Sequence, residues 1–140
     1  MLSVSDIMTR EPVTVNPETP LGEAIGLMKT TGCRQLPVVE GDQVIGMVTD
    51  RDVRLAMNSP LVLHEREDDY RLLNATPVKL IMAKDPVAIE ADAPAQAAAE
   101  ILRAYKFGAL PVVNGKKLVG IVSVSDILDS YIQLLVQRFS

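Results

Sequence analysis

Shifted by 74 residues, the chain aligns with itself without a gap, and no other feature narrows its possible folds as much. Met8 falls on Met82, Pro12 on Pro86, Pro20 on Pro94, Pro37 on Pro111, Gly46 on Gly120 and Asp52 on Asp126. Between Val4–Val53 and Val78–Ile127 there are 15 identities in 50 positions. Average composition would give about 3 or 4. The chain is therefore two copies of a unit of about 50 residues, which is too small to be stable by itself. Two related copies can bury their apolar faces on each other, so a pseudo-two-fold pair is expected. The layout is a first repeat over 1–57, a connector over 58–76, a second repeat over 77–130 and a C-terminal helical extension over 131–140.

Each copy reads strand, helix, strand, strand, helix. Val13-Thr14-Val15 is a short β segment between prolines. Pro20 opens a helix, and Leu21, Ala24, Ile25 and Met28 recur at helical spacing up to a stop at Gly32. Leu36–Val39 and Val44–Val48 form a hairpin around Gly41, and Asn114-Gly115 gives the second copy the same turn. The connector, with Asn58-Ser59-Pro60, His64 and a run of charges, reads as a solvated loop or a short exposed helix. From Asp126 to Phe139 apolar residues occupy much of a helix circumference, too short to cross a bilayer. Such a helix either packs wholly on its own domain or contributes to a dimer interface.

Composition removes several classes of function. With 14 basic and 18 acidic residues the net charge is -4, against nucleic-acid binding through a general basic surface. One cysteine, Cys33, and one histidine, His64, provide no disulfide, no Cys/His metal cluster and no nucleophile–base pair. Cys33 reads as a packed small side chain and His64 as solvated. No catalytic set is evident, so no enzyme is expected. No secretory signal is visible at the N-terminus, and a reduced, cytoplasmic setting fits best.

The remaining chemistry sits where the hairpin's second strand runs into a helix. The first copy reads Gly46-Met47-Val48-Thr49-Asp50-Arg51-Asp52 and the second Gly120-Ile121-Val122-Ser123-Val124-Ser125-Asp126. A hydroxyl followed three residues later by a carboxylate resembles a capping box, and an acidic residue suits the first turn. The same geometry suits a ligand. A helix start offers N–H groups to an anion, and a carboxylate can accept both hydroxyls of a ribose. Val13 with Gln35, Leu36 and Pro37, and Val87 with Ala109, Leu110 and Pro111, would then form apolar slots for a flat base. Both readings stand on these residues alone. Arg51 against Ser125 predicts unequal corners, the first tolerating more phosphate charge, unless Arg51 merely pairs with Asp50 or is solvated.

The Asp6-Ile7-Met8 opening, partly kept as Leu80-Ile81-Met82, the Pro-Val strand, the Leu-Pro-Val-Val strand and the Gly-x-x-Thr/Ser-x-x-Asp ending occur twice in register. Together they resemble a tandem pair of CBS domains, a Bateman module, over about residues 2–130. The resemblance implies an α+β fold of two β-α-β-β-α units and two clefts between the copies that bind AMP, ADP, ATP or S-adenosylmethionine as regulatory ligands. No cofactor or metal is required. It maps ribose binding onto Asp52 and Asp126, and the hydroxyl position onto Thr49 and Ser123. It also implies a homodimer, a flat disc of four repeats, acting on an unidentified protein partner in trans. A ligand-free dimerisation or protein-interaction domain is the alternative.

Overall fold

A computed structural model describes residues 1–57 and 66–139. Asn58-Ser59-Pro60 and His64 lie outside the described residues. In chain order the elements are α1 (Val4–Ile7), β1 (Thr9–Arg10), α2 (Leu21–Thr31), β2 (Gln35–Glu40), β3 (Gln43–Thr49), α3 (Asp50–Met57) and α4 (Arg66–Ala75). After a 3-10 turn at Val78–Leu80 come β4 (Ala83–Lys84), β5 (Ile89–Glu90), α5 (Ala95–Tyr105), β6 (Ala109–Asn114), β7 (Lys117–Ser123) and α6 (Val124–Phe139). The fold is α+β with mixed strand pairing.

The chain divides into two compact units. One is continuous, Val13–Pro86; the other is discontinuous, joining Met1–Pro12 to Val87–Ser140. The spatial units thus depart from the repeats as they run in sequence. The opening segment of the first copy belongs with the body of the second, and residues 77–86 belong with the body of the first.

In the continuous unit β2 and β3 form an antiparallel hairpin, β4 lies antiparallel on β3, and Val15 bridges Val38 in parallel. Val13-Thr14-Val15 is therefore not a full strand: only Val15 pairs, and Val13 is exposed. Pro20 sits at the N-cap of α2 with φ -64°, and Gly32 ends the helix in the left-handed region at φ 73°, which a side chain would resist. Between them Leu21, Ala24 and Met28 are buried on one stripe. They pack with Leu36, Val38, Val48 and Val53. Each large side chain so buried contributes about 1.5–3 kcal/mol. The connector's end is not merely solvated: α4 packs on α2, and Leu73 lies against this core.

The discontinuous unit repeats the plan. β5 runs parallel to β6, β6 and β7 form the hairpin, and β1 lies antiparallel on β7. Its core joins Val4, Ile89, Ala98, Leu102, Leu110, Val112 and Val122. Glycine at mid-strand lets the opening segment lie this close. A Cβ on Gly120 would stand 2.6 Å from Met8 Sδ and 2.8 Å from the Thr9 carbonyl oxygen, and one on Gly46 would meet Met82 and Ala83 in the same way.

α6 is one helix of 16 residues. It does not pack wholly on its own unit. Leu128, Tyr131, Ile132, Leu134 and Val136 are each more than half exposed.

Candidate functional site

Each corner forms because a strand ends on a hydroxyl residue that then caps the following helix. Thr49 is the N-cap of α3, and its Oγ1 accepts the Asp52 N–H at 3.0 Å. Asp52 Oδ2 accepts the Thr49 N–H at 3.1 Å. In the discontinuous unit Ser123 Oγ accepts the Asp126 N–H at 3.1 Å, and Asp126 Oδ2 accepts the Ser123 N–H at 2.9 Å. Both corners are thus reciprocal capping boxes, with Asp in the place of the usual Glu. One more backbone donor is taken in each: Asp50 N–H donates to the Arg34 carbonyl and Val124 N–H to the Gly108 carbonyl, both at 3.0 Å.

These bonds correct the idea of a helix start open to anions. Of the early donors, only the Arg51 and Ser125 N–H groups have no partner among the described residues. The carboxylates keep more capacity than the amides do. Each spends Oδ2 on its cap. Asp52 Oδ1 has no partner among the described residues. Asp126 Oδ1 has one long contact, from Thr9 Oγ1 at 3.5 Å. Both aspartates are half-buried. A carboxylate with one oxygen fixed and one available is oriented to accept a further hydroxyl or amine.

The structure brings part of each expected set together. Gln35 pairs across the hairpin with Thr49, and Ala109 with Ser123. Arg51 is exposed beside Asp52 and does not pair with Asp50; Asp50 instead meets Arg54 at 3.7 Å. Val13 and Val87 are exposed. Leu36, Pro37, Leu110 and Pro111 are all fully buried, Leu36 and Leu110 within the two cores. A strand covered on both faces reads in sequence like one that lines a slot. Thr9 was not anticipated. It lies 117 residues from Asp126, and only the pairing of β1 with β7 brings it close. Its counterpart in the other copy, Ala83, has no hydroxyl.

No cluster of metal-ligating side chains occurs among the described residues, and no buried side-chain polar atom there lacks a partner. Cys33 is half-buried, with Sγ 2.9 Å from Thr31 Oγ1. No helix is long and apolar enough to cross a membrane.

The CBS domain family model matches residues 4–59 and again 78–132. The chain belongs to the CBS-domain family, as a tandem pair. This CBS pair is 37% identical over 134 residues to a CBS domain-containing protein of Dictyostelium discoideum, covering 94% of this chain and 92% of that one. It is 36% identical over 119 residues to inosine-5'-monophosphate dehydrogenase of Korarchaeum cryptofilum. That match takes in 84% of this chain but only 22% of the enzyme's length. Among solved structures, CBSX2 in complex with AMP superposes with a TM-score of 0.80 at 26% identity, covering 96% of this CBS pair and 98% of that chain.

Proposed function

We propose that this CBS pair is a non-catalytic regulatory module that binds an adenosine-containing ligand at the Thr49–Asp52 and Ser123–Asp126 corners. AMP, ADP, ATP and S-adenosylmethionine are the candidates. The observation that carries the reading is the split duty of each aspartate: Oδ2 holds the cap, and Oδ1 is left to accept a ribose hydroxyl. The AMP complex of CBSX2 supports it. Val13 and Gln35 in one unit, and Val87 in the other, stand as further contacts for the base. Ligand binding shifts a conformational equilibrium only through different affinities for its two states, and the output then acts on a protein partner in trans.

The corners should bind unequally. Arg51 adds a cation at the first, where Ser125 stands at the second. Triphosphate should therefore favour the first corner over the second.

Calorimetry with AMP, ADP, ATP and S-adenosylmethionine tests the proposal. A micromolar ligand corresponds to about -8 kcal/mol, and at a hundredfold excess over Kd it adds about 2.7 kcal/mol of stability. Asp126→Asn should weaken one site by roughly 10- to 100-fold, since a charged hydrogen bond is worth about 1.5–3 kcal/mol. The completed capping boxes favour a second reading, a ligand-free interaction domain. An empty screen, or an Asp126→Asn protein that loses stability while keeping full affinity, decides for that reading.

A further inference from the structure

The duplication sorts the methionines of this chain. Met28, Met47 and Met57 have Leu102, Ile121 and Tyr131 at the equivalent positions, so there methionine is one apolar filler among several. Met8 and Met82 are different. They occupy the same position of the two copies, and the glycines they meet, Gly120 and Gly46, are equivalent as well. Each methionine lies in the opening segment that its copy gives to the other body. Each sulfur rests on the bare backbone of a mid-strand glycine. A Cβ on Gly120 would stand 2.6 Å from Met8 Sδ, and one on Gly46 would stand 2.5 Å from Met82 Sδ.

The two side chains are also placed to react. Met8 and Met82 are half-buried, whereas Met28 and Met47 are only 5% and 8% exposed. Their inner sides pack on the two cores, Met8 on that of Val4 and Leu110, Met82 on that of Val78 and Leu36. A polar atom added there would find the methionines' own N–H groups already spent. Met8 N–H donates to the Val4 carbonyl and Met82 N–H to the Val78 carbonyl, both at 2.9 Å. The residues that follow carry the pairing: Thr9 and Arg10 lie opposite Ile121 and Gly120, and Ala83 and Lys84 opposite Met47 and Gly46.

We propose that Met8 and Met82 are paired oxidation sites, through which a peroxide loosens the opening segments from the hairpins they close. The thioether sulfur attacks one peroxide oxygen. The S–O bond forms as the O–O bond breaks, and the proton on the transferred oxygen passes to the departing hydroxide. Sulfoxide and water result: sulfur is oxidised and the peroxide reduced. The product is polar and chiral where a soft apolar group had been. Against Gly120 or Gly46 its oxygen either loses water without gaining a partner or pushes the segment outward, and burying an unpartnered polar group is unfavourable. In the discontinuous unit the strand displaced is β1, whose Thr9 reaches Asp126 Oδ1 at 3.5 Å. Enzymatic reduction of the sulfoxide reverses the change, so the segments form a latch opened by peroxide and reset by reduction. The latch does not depend on either corner binding a ligand.

Limited hydrogen peroxide on the intact chain tests this, with Cys33→Ser as the background so that the free thiol plays no part. Peptide mass spectrometry should find sulfoxide at Met8 and Met82 before Met28 and Met47. Amide exchange over residues 4–10 and 78–84 should then rise by roughly tenfold or more, the factor that about 1.4 kcal/mol of lost local stability gives. Methionine sulfoxide reductases should restore slow exchange. Met8→Leu should remove the response over 4–10 alone, and Met82→Leu that over 78–84 alone. Leu for Met conserves volume, and a melt before peroxide checks that each variant is folded. Should a Leu variant fail to fold, reversal by the reductases decides. Sulfoxide at Met8 and Met82 that forms only after the buried methionines react overturns the inference. So does sulfoxide that leaves exchange unchanged, faster exchange that the reductases do not reverse, or faster exchange that persists in the folded Leu variants.

Discussion

The helix leaving the corner reads Asp50-Arg51-Asp52-Val53-Arg54 in the continuous unit and Val124-Ser125-Asp126-Ile127-Leu128 in the discontinuous one. What the fold itself needs is the same in both. A hydroxyl N-cap, an aspartate at the third helical position and a buried branched side chain, Val53 or half-buried Ile127, recur. What faces water differs at every position: Asp50, Arg51 and Arg54 in one copy, Val124, Ser125 and Leu128 in the other. After a duplication, core and caps are held by stability, while exposed positions are free to take separate duties. Differences between the copies therefore mark where each can take a separate duty.

Four measurements can break this comparison or sharpen it. The cores come first. Leu36 and Leu110 are equivalent and both 0% exposed. Truncation of either to Ala should cost about 2–5 kcal/mol in denaturant melts. If only one of the two losses is large, the units are not equivalent inside.

Next are the mid-strand glycines. Gly120→Ala and Gly46→Ala should each cost about 1–3 kcal/mol through overpacking. The Gly120 change should be the worse, because its Cβ would meet a backbone oxygen at 2.8 Å, against 3.0 Å at Gly46. The reverse ranking would mean that the opening segments are held by something other than this close approach.

Removing a cap by Asp52→Ala or Asp126→Ala should lower stability by about 0.5–2 kcal/mol, alike in the two units. Chemical denaturation reads this without any ligand. A loss confined to one corner would show that the two boxes contribute unequally despite matching distances.

The smallest effect separates the opening segments. Ser3 N–H donates to Asp6 Oδ2 at 2.8 Å, and Ser3 Oγ at 3.0 Å. The backbone bond first, and then the side-chain bond, hold the Asp6 carboxyl below its ordinary value of 3.8. A group with a lowered folded pKa contributes stability above its unfolded pKa and loses it as pH falls through the folded one. Acid below about pH 4 should thus loosen α1 before the matching turn at Val78–Leu80, where Pro77 and Leu80 replace Ser3 and Asp6. Hydrogen exchange at Val4–Met8 across that range would detect it. Equal behaviour of the two segments would remove this cap as a distinguishing feature.

Local signals made much of this legible. Pro20 and Pro94 mark helix starts, Gly32 a helix end, and Gly41 and Gly115 the hairpin turns. Each acts through its own backbone, so neighbours in sequence suffice to read it. The capping pairs lie three residues apart and are readable for the same reason. The exchange of opening segments was not legible, because β1 and β4 are two residues long and have no pattern of their own. The signal available was a glycine in mid-strand at Gly46 and Gly120, which marks close backbone approach without naming what approaches. Leu36-Pro37 and Leu110-Pro111 have buried side chains, which the sequence did not foretell, since apolar character alone does not distinguish a lining from a core.

The traded opening segments bear on ancestry. A single copy of this plan would lack the edge strand that closes its own hairpin, because that strand is spent on another body. It would be whole only in company, with two molecules lending each other their first dozen residues. Fusing the two genes would make a standing loan permanent. The shortest contiguous stretch that holds a complete body is then 13–86, which begins inside one repeat and ends inside the next.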